Sequence, residues 1–152
     1  MSLNAIYMGK VFEKFYPLVS SLLCFGVLWY ANPFWVNFTM CKILSGPYLT
    51  IFSICFGFIF TSLSTLISLG DKIFIKNMKK IGSFDLLISY HKESLFWNIL
   101  GTILGVVVLF WDEKLFIQWQ GFVFISVGIG AISSSYRLFS LFFLVTSQIN
   151  KS

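Results

Sequence analysis

The sequence predicts an all-α integral membrane protein, a bundle of four transmembrane helices whose ends extend into a cytoplasmic stalk. The first reason is composition: 57% of the 152 residues are hydrophobic and only 11% are charged, which lies outside the range of soluble globular domains. The second is that charge gathers in one internal segment, residues 70–93, between long apolar stretches. The third is that these stretches keep helical character for longer than a bilayer requires.

The apolar stretches divide a single domain, residues 1–152, into four predicted spans. Residues 1–14 form an uncleaved lead-in, because no small-residue cleavage site follows the first apolar run. Asn32-Pro33 should end the first span, and Gly46-Pro47 marks the start of the second, with proline in its first turn. The spans are expected at about 15–35, 47–69, 94–111 and 120–140, with cytoplasmic helical extensions at about 70–93 and 138–150.

The distribution of lysines predicts the orientation. Cytoplasmic flanks of membrane helices are rich in lysine and arginine, and two lysines, Lys42 and Lys114, fall on the side opposite to the rest. Both termini and the segment 70–93 are therefore expected in the cytoplasm.

Ten lysines against one arginine suggest an AT-rich bacterial gene, and hence the bacterial inner (plasma) membrane. The same flanks account for the net charge of +5, so we expect no direct binding of nucleic acid.

Helix length predicts the stalk. The segment from Pro47 to Ile81 could form one helix of about 52 Å, whereas the hydrocarbon core of a bilayer is about 30 Å thick. The tip would present Lys76, Lys79 and Lys80 to an acidic partner surface, with Phe84 as an apolar anchor. The alternative is that residues 71–81 lie flat on the membrane as a basic amphipathic helix.

Small residues at helical spacing predict close helix packing. Glycine and serine let helix backbones approach each other in lipid, and they recur every fourth residue or so in three of the spans. The alternative is that these residues are simply frequent in membrane helices. The predicted packing residues are Ser53, Gly57, Gly101, Gly105, Ser126, Gly130 and Ser134.

Arg137 is the one cation inside an apolar span. Counted from the outer end of its helix it reaches the level of Glu93, so the two side chains could form a structural ion pair, or Arg137 could snorkel alone to the headgroups. If the helix were centred lower, Arg137 would lie in mid-bilayer, where a charge usually serves a pore or a sensor.

Catalytic and cofactor motifs are missing from the sequence. His91 is the only histidine, and the three cysteines form neither a pairing framework nor a metal-binding pattern. Haem or zinc ligation by this chain alone is therefore improbable. We expect a protein that is not an enzyme and that carries no cofactor.

The arrangement of spans, and above all YLTIFSICFGFIFTSLSTLISLGDKIFIKNMKKIG at 48–82, resembles small four-span membrane proteins of bacterial anti-phage systems. Among these are the membrane subunit of the Kiwa system and, more distantly, the lambda Rex exclusion membrane protein. The first resemblance implies a homo-oligomeric scaffold and sensor, with a tetramer favoured, that holds a soluble DNA-binding effector. The second implies an ion-permeable pore that depolarises the membrane. A holin-like lysis protein is a third possibility.

Overall fold

The computed structural model describes residues 3–68 and 83–149, with side chains described for 15–68 and 84–143. These residues fold almost entirely as α-helix, and no strand occurs in the part of the chain described. The all-α class is therefore confirmed. The helices are α1 (Leu3–Ala31), α2 (Phe38–Ser68), α3 (Ser83–Phe110) and α4 (Gln118–Ile149), with a short 3₁₀ turn at Glu113–Leu115 between the last two.

Three of these helices, α2, α3 and α4, are long and apolar enough to cross a membrane. The apolar part of α1 is shorter and covers Phe15–Ala31. α1 starts at Leu3, so the expected lead-in is helical from that residue onward. It ends where Asn32-Pro33 predicts, because Asn32 adopts a left-handed φ of 40°, a conformation that asparagine accepts better than most residues.

α2 begins earlier than Gly46-Pro47 predicts. Asn37 is its N-cap: the side-chain Oδ1 accepts a hydrogen bond from Met40 N at 2.9 Å, and asparagine is among the best residues for this role. Pro47 consequently lies inside the helix. A helix interior loses one backbone hydrogen bond at a proline, and a long helix that packs on its neighbours tolerates this loss.

α2 and α3 pack against each other in antiparallel register. Their inward positions recur at alternating intervals of three and four residues, the spacing of a coiled-coil seam. Contacts fix the pairing, because Ser62 meets His91 and Phe52 lies against Gly101. The inward positions are 41, 45, 48, 52, 55, 59, 62 and 66 on α2, and 87, 91, 94, 98, 101, 105 and 108 on α3.

α4 is the central helix of the bundle. In the hydrophobic 18-residue stretch of α4, 61% of the residues are buried, against 22% and 33% in the corresponding stretches of α2 and α3. It packs against α1 on one side and against α3 and α2 on the other. Its glycines allow close approach: a Cβ on Gly130 would lie only 2.6 Å from Trp97 Cζ3.

The two ends of the bundle differ in character. At the aromatic end, the α1–α2 and α3–α4 connections lie together, joined by a hydrogen bond from Gln118 Nε2 to Pro33 O, and Trp35, Trp111 and Trp119 flank them. At the opposite end, which we call the Arg137 end, lie the last described residues of α2 and α4 and the first described residues of α3. Apolar residues are packed at this end too, including Leu66, Leu87, Tyr90 and Leu138.

Candidate functional site

A polar seam lies in the interior of the bundle toward the Arg137 end. We define it by its residues, which come from α2, α3 and α4: Cys55, Ser62, His91, Ser94, Asn98 and Ser135. The side chains of His91, Ser94 and Asn98 are completely buried. They occupy three successive inward positions of α3, where a membrane helix would ordinarily carry apolar residues. The seam therefore needs an internal hydrogen-bonding partner for every polar atom.

His91 satisfies this requirement at one end of the seam. Its Nδ1 lies 2.9 Å from Leu87 O, and because a carbonyl oxygen can only accept, Nδ1 carries a proton. Its Nε2 lies 3.0 Å from Ser62 Oγ. The Ser62 hydroxyl has Ile59 O as a second possible acceptor, at 2.9 Å. Ser62 can thus donate to a neutral imidazole or accept from a protonated one by a rotation of its hydroxyl.

Asn98 connects the helices at the other end of the seam. Its Nδ2 donates to Ser94 O at 2.8 Å within α3 and to Ser135 Oγ at 2.9 Å on α4. The Cys55 thiol of α2 lies beside the same hydroxyl. One amide and one hydroxyl therefore link α3 to α4, with a thiol of α2 next to them.

Two atoms of the seam lack a hydrogen-bond partner among the described residues, namely Ser94 Oγ and Asn98 Oδ1. They belong to side chains one helical turn apart on the same face of α3. A buried polar atom without a partner costs stability comparable to a lost hydrogen bond.

The seam is closed toward the aromatic end. The next pair of inward positions is Phe52 and Gly101, where the phenyl ring is 1% exposed and would lie 3.0 Å from a Cβ on the glycine. Beyond it, Tyr48 stacks on Phe124 at 4.2 Å between ring centroids. From His91 to Asn98 the seam extends along α3 for about 10 Å, and it then ends against aromatic side chains.

Arg137 lies beside the seam and binds two residues of α3. Its guanidinium forms an ion pair with the Glu93 carboxylate and lies 4.0 Å from the centroid of the Tyr90 ring. The arginine side chain is 8% exposed and the glutamate side chain 24% exposed. The structure thus places the two predicted residues in contact, and the contact joins α3 to α4.

The predicted packing residues fall into two groups. Gly101, Gly105 and Gly130 each lie so close to a neighbouring side chain that a Cβ would meet it within about 3 Å. Ser126 and Ser134 are buried and donate to carbonyls of α4 itself. By contrast, Ser53 and Gly57 are exposed, and a Cβ on Gly57 would meet nothing within 4 Å.

The predicted docking residues are only partly visible. Lys76, Lys79 and Lys80 lie outside the described residues. Phe84 is half-buried and packs on the apolar cluster of the Arg137 end, so part of its ring is covered by the chain's own residues.

Sequence reasoning missed Asn98, Ser94, Ser62 and Ser135. The signal that could have found them is the alternating spacing of α3, which places His91, Ser94 and Asn98 on one face with Gly101 and Gly105. A search for acidic residues inside the spans misses this pattern, because the seam contains hydroxyls, an amide, an imidazole and a thiol but no carboxylate.

The chemistry open to the seam is hydrogen bonding and proton exchange. Within the described segments, no group of three or more histidine, cysteine, aspartate or glutamate side chains could hold a metal ion. The arrangement offers neither a nucleophile with an adjacent base and orienting acid nor an oxyanion-binding loop in the part of the chain described. No protein-family model, curated protein or solved structure matches the chain.

Proposed function

We propose that this chain is the membrane scaffold and sensor subunit of a bacterial anti-phage defence system. In this proposal it crosses the inner membrane four times with both termini in the cytoplasm, assembles as a homo-oligomer, favoured as a tetramer, and docks a soluble DNA-binding effector. The chain itself performs no catalysis and binds no nucleic acid. The resemblance of residues 48–82 to such proteins supports the biological setting, and the geometry supports the scaffold role.

The observation that carries the scaffold role is the length of the helices. α2 has 31 residues and α4 has 32, which correspond to about 46 and 48 Å against a hydrocarbon core of about 30 Å. Tryptophans prefer the interface between lipid and water, so Trp111 and Trp119 set the outer boundary. The surplus length then falls at the Arg137 end, and a pore alone would not need it.

The apolar packing at the Arg137 end supports a projecting structure. Leu66, Leu87 and Leu138 are almost fully buried there, so α2, α3 and α4 remain in contact as they leave the core of the membrane. In this proposal the segment between α2 and α3, which carries Lys76, Lys79 and Lys80, is the surface that binds the partner. In an oligomer these lysines repeat around the axis, and weak contacts are multiplied by avidity.

The second candidate function is an ion-permeable pore that depolarises the membrane. The buried polar seam and the position of Arg137 favour it, because polar residues inside a membrane often mark a conduction path. Phe52 against Gly101 opposes it, because the seam stops there. A conducting state would require this ring to move away from α3.

Charge reversal of the three lysines tests the scaffold function. Lys76→Glu, Lys79→Glu and Lys80→Glu together should release the cytoplasmic partner on co-purification from native membranes, while insertion and oligomer size stay unchanged. The matched control reverses Lys42 and Lys114, which the proposal places outside, and should retain the partner. Retention of every partner by the triple variant would exclude these lysines as the docking site.

A further inference from the structure

We propose that the polar seam contains a binding site for one water molecule, held by Ser94 Oγ and Asn98 Oδ1. The inference is independent of the scaffold function, since it concerns the interior of the bundle. It rests on two completely buried side chains whose oxygen atoms lack a partner among the residues described. Buried waters in proteins typically occupy such positions, where they join polar groups that would otherwise be unsatisfied.

The chemistry of the two atoms defines the ligand. A carboxamide oxygen only accepts hydrogen bonds, and the Asn98 amide nitrogen already donates to Ser94 O and Ser135 Oγ, which fixes the orientation of the amide. The ligand must therefore donate to Oδ1. The Ser94 hydroxyl can donate or accept, so a single water satisfies both atoms.

A metal cation fits the site less well than water. A charge in a low-dielectric interior needs a counter-charge, and Glu93, the acidic residue closest in sequence to Ser94 and Asn98, is engaged by Arg137. The neighbours that the seam supplies are a hydroxyl and a thiol, from Ser135 and Cys55, and neither is charged in its ordinary state.

The water completes a hydrogen-bonded layer around Asn98. It joins Ser94 to Asn98 within α3, and the Asn98 amide continues to Ser135 of α4. His91 is not part of this layer, because its two ring nitrogens face Leu87 O and Ser62 Oγ. Phe52 against Gly101 closes the seam on the aromatic side.

Solid-state NMR of the full-length protein in lipid bilayers tests the site. With ¹⁵N-labelled asparagine and threonine, polarisation transferred from water is measured at the Asn98 side-chain amide, which is assigned by its loss in Asn98→Leu. We expect rapid transfer to Asn98 and little transfer to the backbone amide of Thr102, one turn further toward the aromatic end. Equally slow transfer to both would overturn the proposal.

Two variants separate a bound water from general hydration. Ser94→Ala removes one of the two anchoring atoms and should reduce the transfer to Asn98 several-fold. Ser126→Ala, at a buried serine that donates to Phe122 O of its own helix, should leave it unchanged. An Asn98 signal that is indifferent to Ser94→Ala would contradict the site. A signal lost when choline replaces sodium and potassium would assign the site to a cation and overturn the assignment to water.

Discussion

At the scale of single residues, Arg137 shows how a charge is accommodated inside an apolar helix. The guanidinium is planar and can use its face and its edge at the same time. In this chain the face lies over Tyr90 and the edge meets Glu93. Because both partners belong to α3 while Arg137 belongs to α4, the contact holds the two helices together near the base of the seam.

Removing either member of the ion pair should destabilise the protein. Arg137→Gln and Glu93→Gln should each lower the free energy of unfolding by about 1–3 kcal/mol, because each leaves a largely buried charge without its partner. The double variant should lose less than the sum, by about 1 kcal/mol. Unfolding in detergent measures all three, with Lys92→Gln at the exposed neighbour as the control. Additive losses would show that the two side chains do not interact in the membrane.

At the scale of helices, glycine serves close approach at some positions and not at others. A Cβ on Gly130 would enter the Trp97 ring, whereas a Cβ on Gly57 would meet open space. The sequence pattern does not distinguish Gly57 from Gly130, because both belong to stripes of small residues. Only the register of α2, α3 and α4 separates them.

Two matched substitutions test this difference. Gly130→Ala should lower the free energy of unfolding by about 1–3 kcal/mol, since overpacking forces Trp97 from its position. Gly57→Ala should be neutral or stabilise by up to about 1 kcal/mol, because alanine costs less conformational entropy than glycine in a helix. Thermal unfolding of both variants in the same detergent provides the measurement. Equal destabilisation by the two substitutions would contradict the register.

The sequence predicted some features of the helices and missed others for physical reasons. The lengths of the apolar stretches and the lysines that flank them are properties of local composition, so the helical class could be predicted from the sequence alone. The level of Arg137 beside Glu93 followed from the constant rise of a helix. The predicted start of α2 at Gly46-Pro47 was wrong, because Asn37 caps the helix earlier in the chain. The seam was missed because Asn98 and Ser135 are remote in sequence and meet only through tertiary packing.

At the scale of the whole molecule, the two ends of the bundle have different tasks in the proposed function. The aromatic end is short and flanked by tryptophans, which suits the outer interface. The Arg137 end carries the surplus helix length, the ion pair and the buried apolar cluster. The proposal therefore depends on one geometric claim, that the start of α3 stands in the cytoplasm clear of the lipid.

Cysteine labelling from each side of the membrane tests this claim most directly. Cys24, Cys41 and Cys55 are replaced, and single cysteines are introduced at Asp85 and Phe96, both exposed on α3, and at exposed Lys114 in the loop that follows it. Asp85 lies about 16 Å beyond Phe96 along the helix. With a membrane-impermeant thiol reagent, the account predicts labelling at 85 from the cytoplasmic side, at 114 from the outside, and at 96 from neither. Protection of position 85 from both sides, or labelling of position 114 from the cytoplasm, would contradict it.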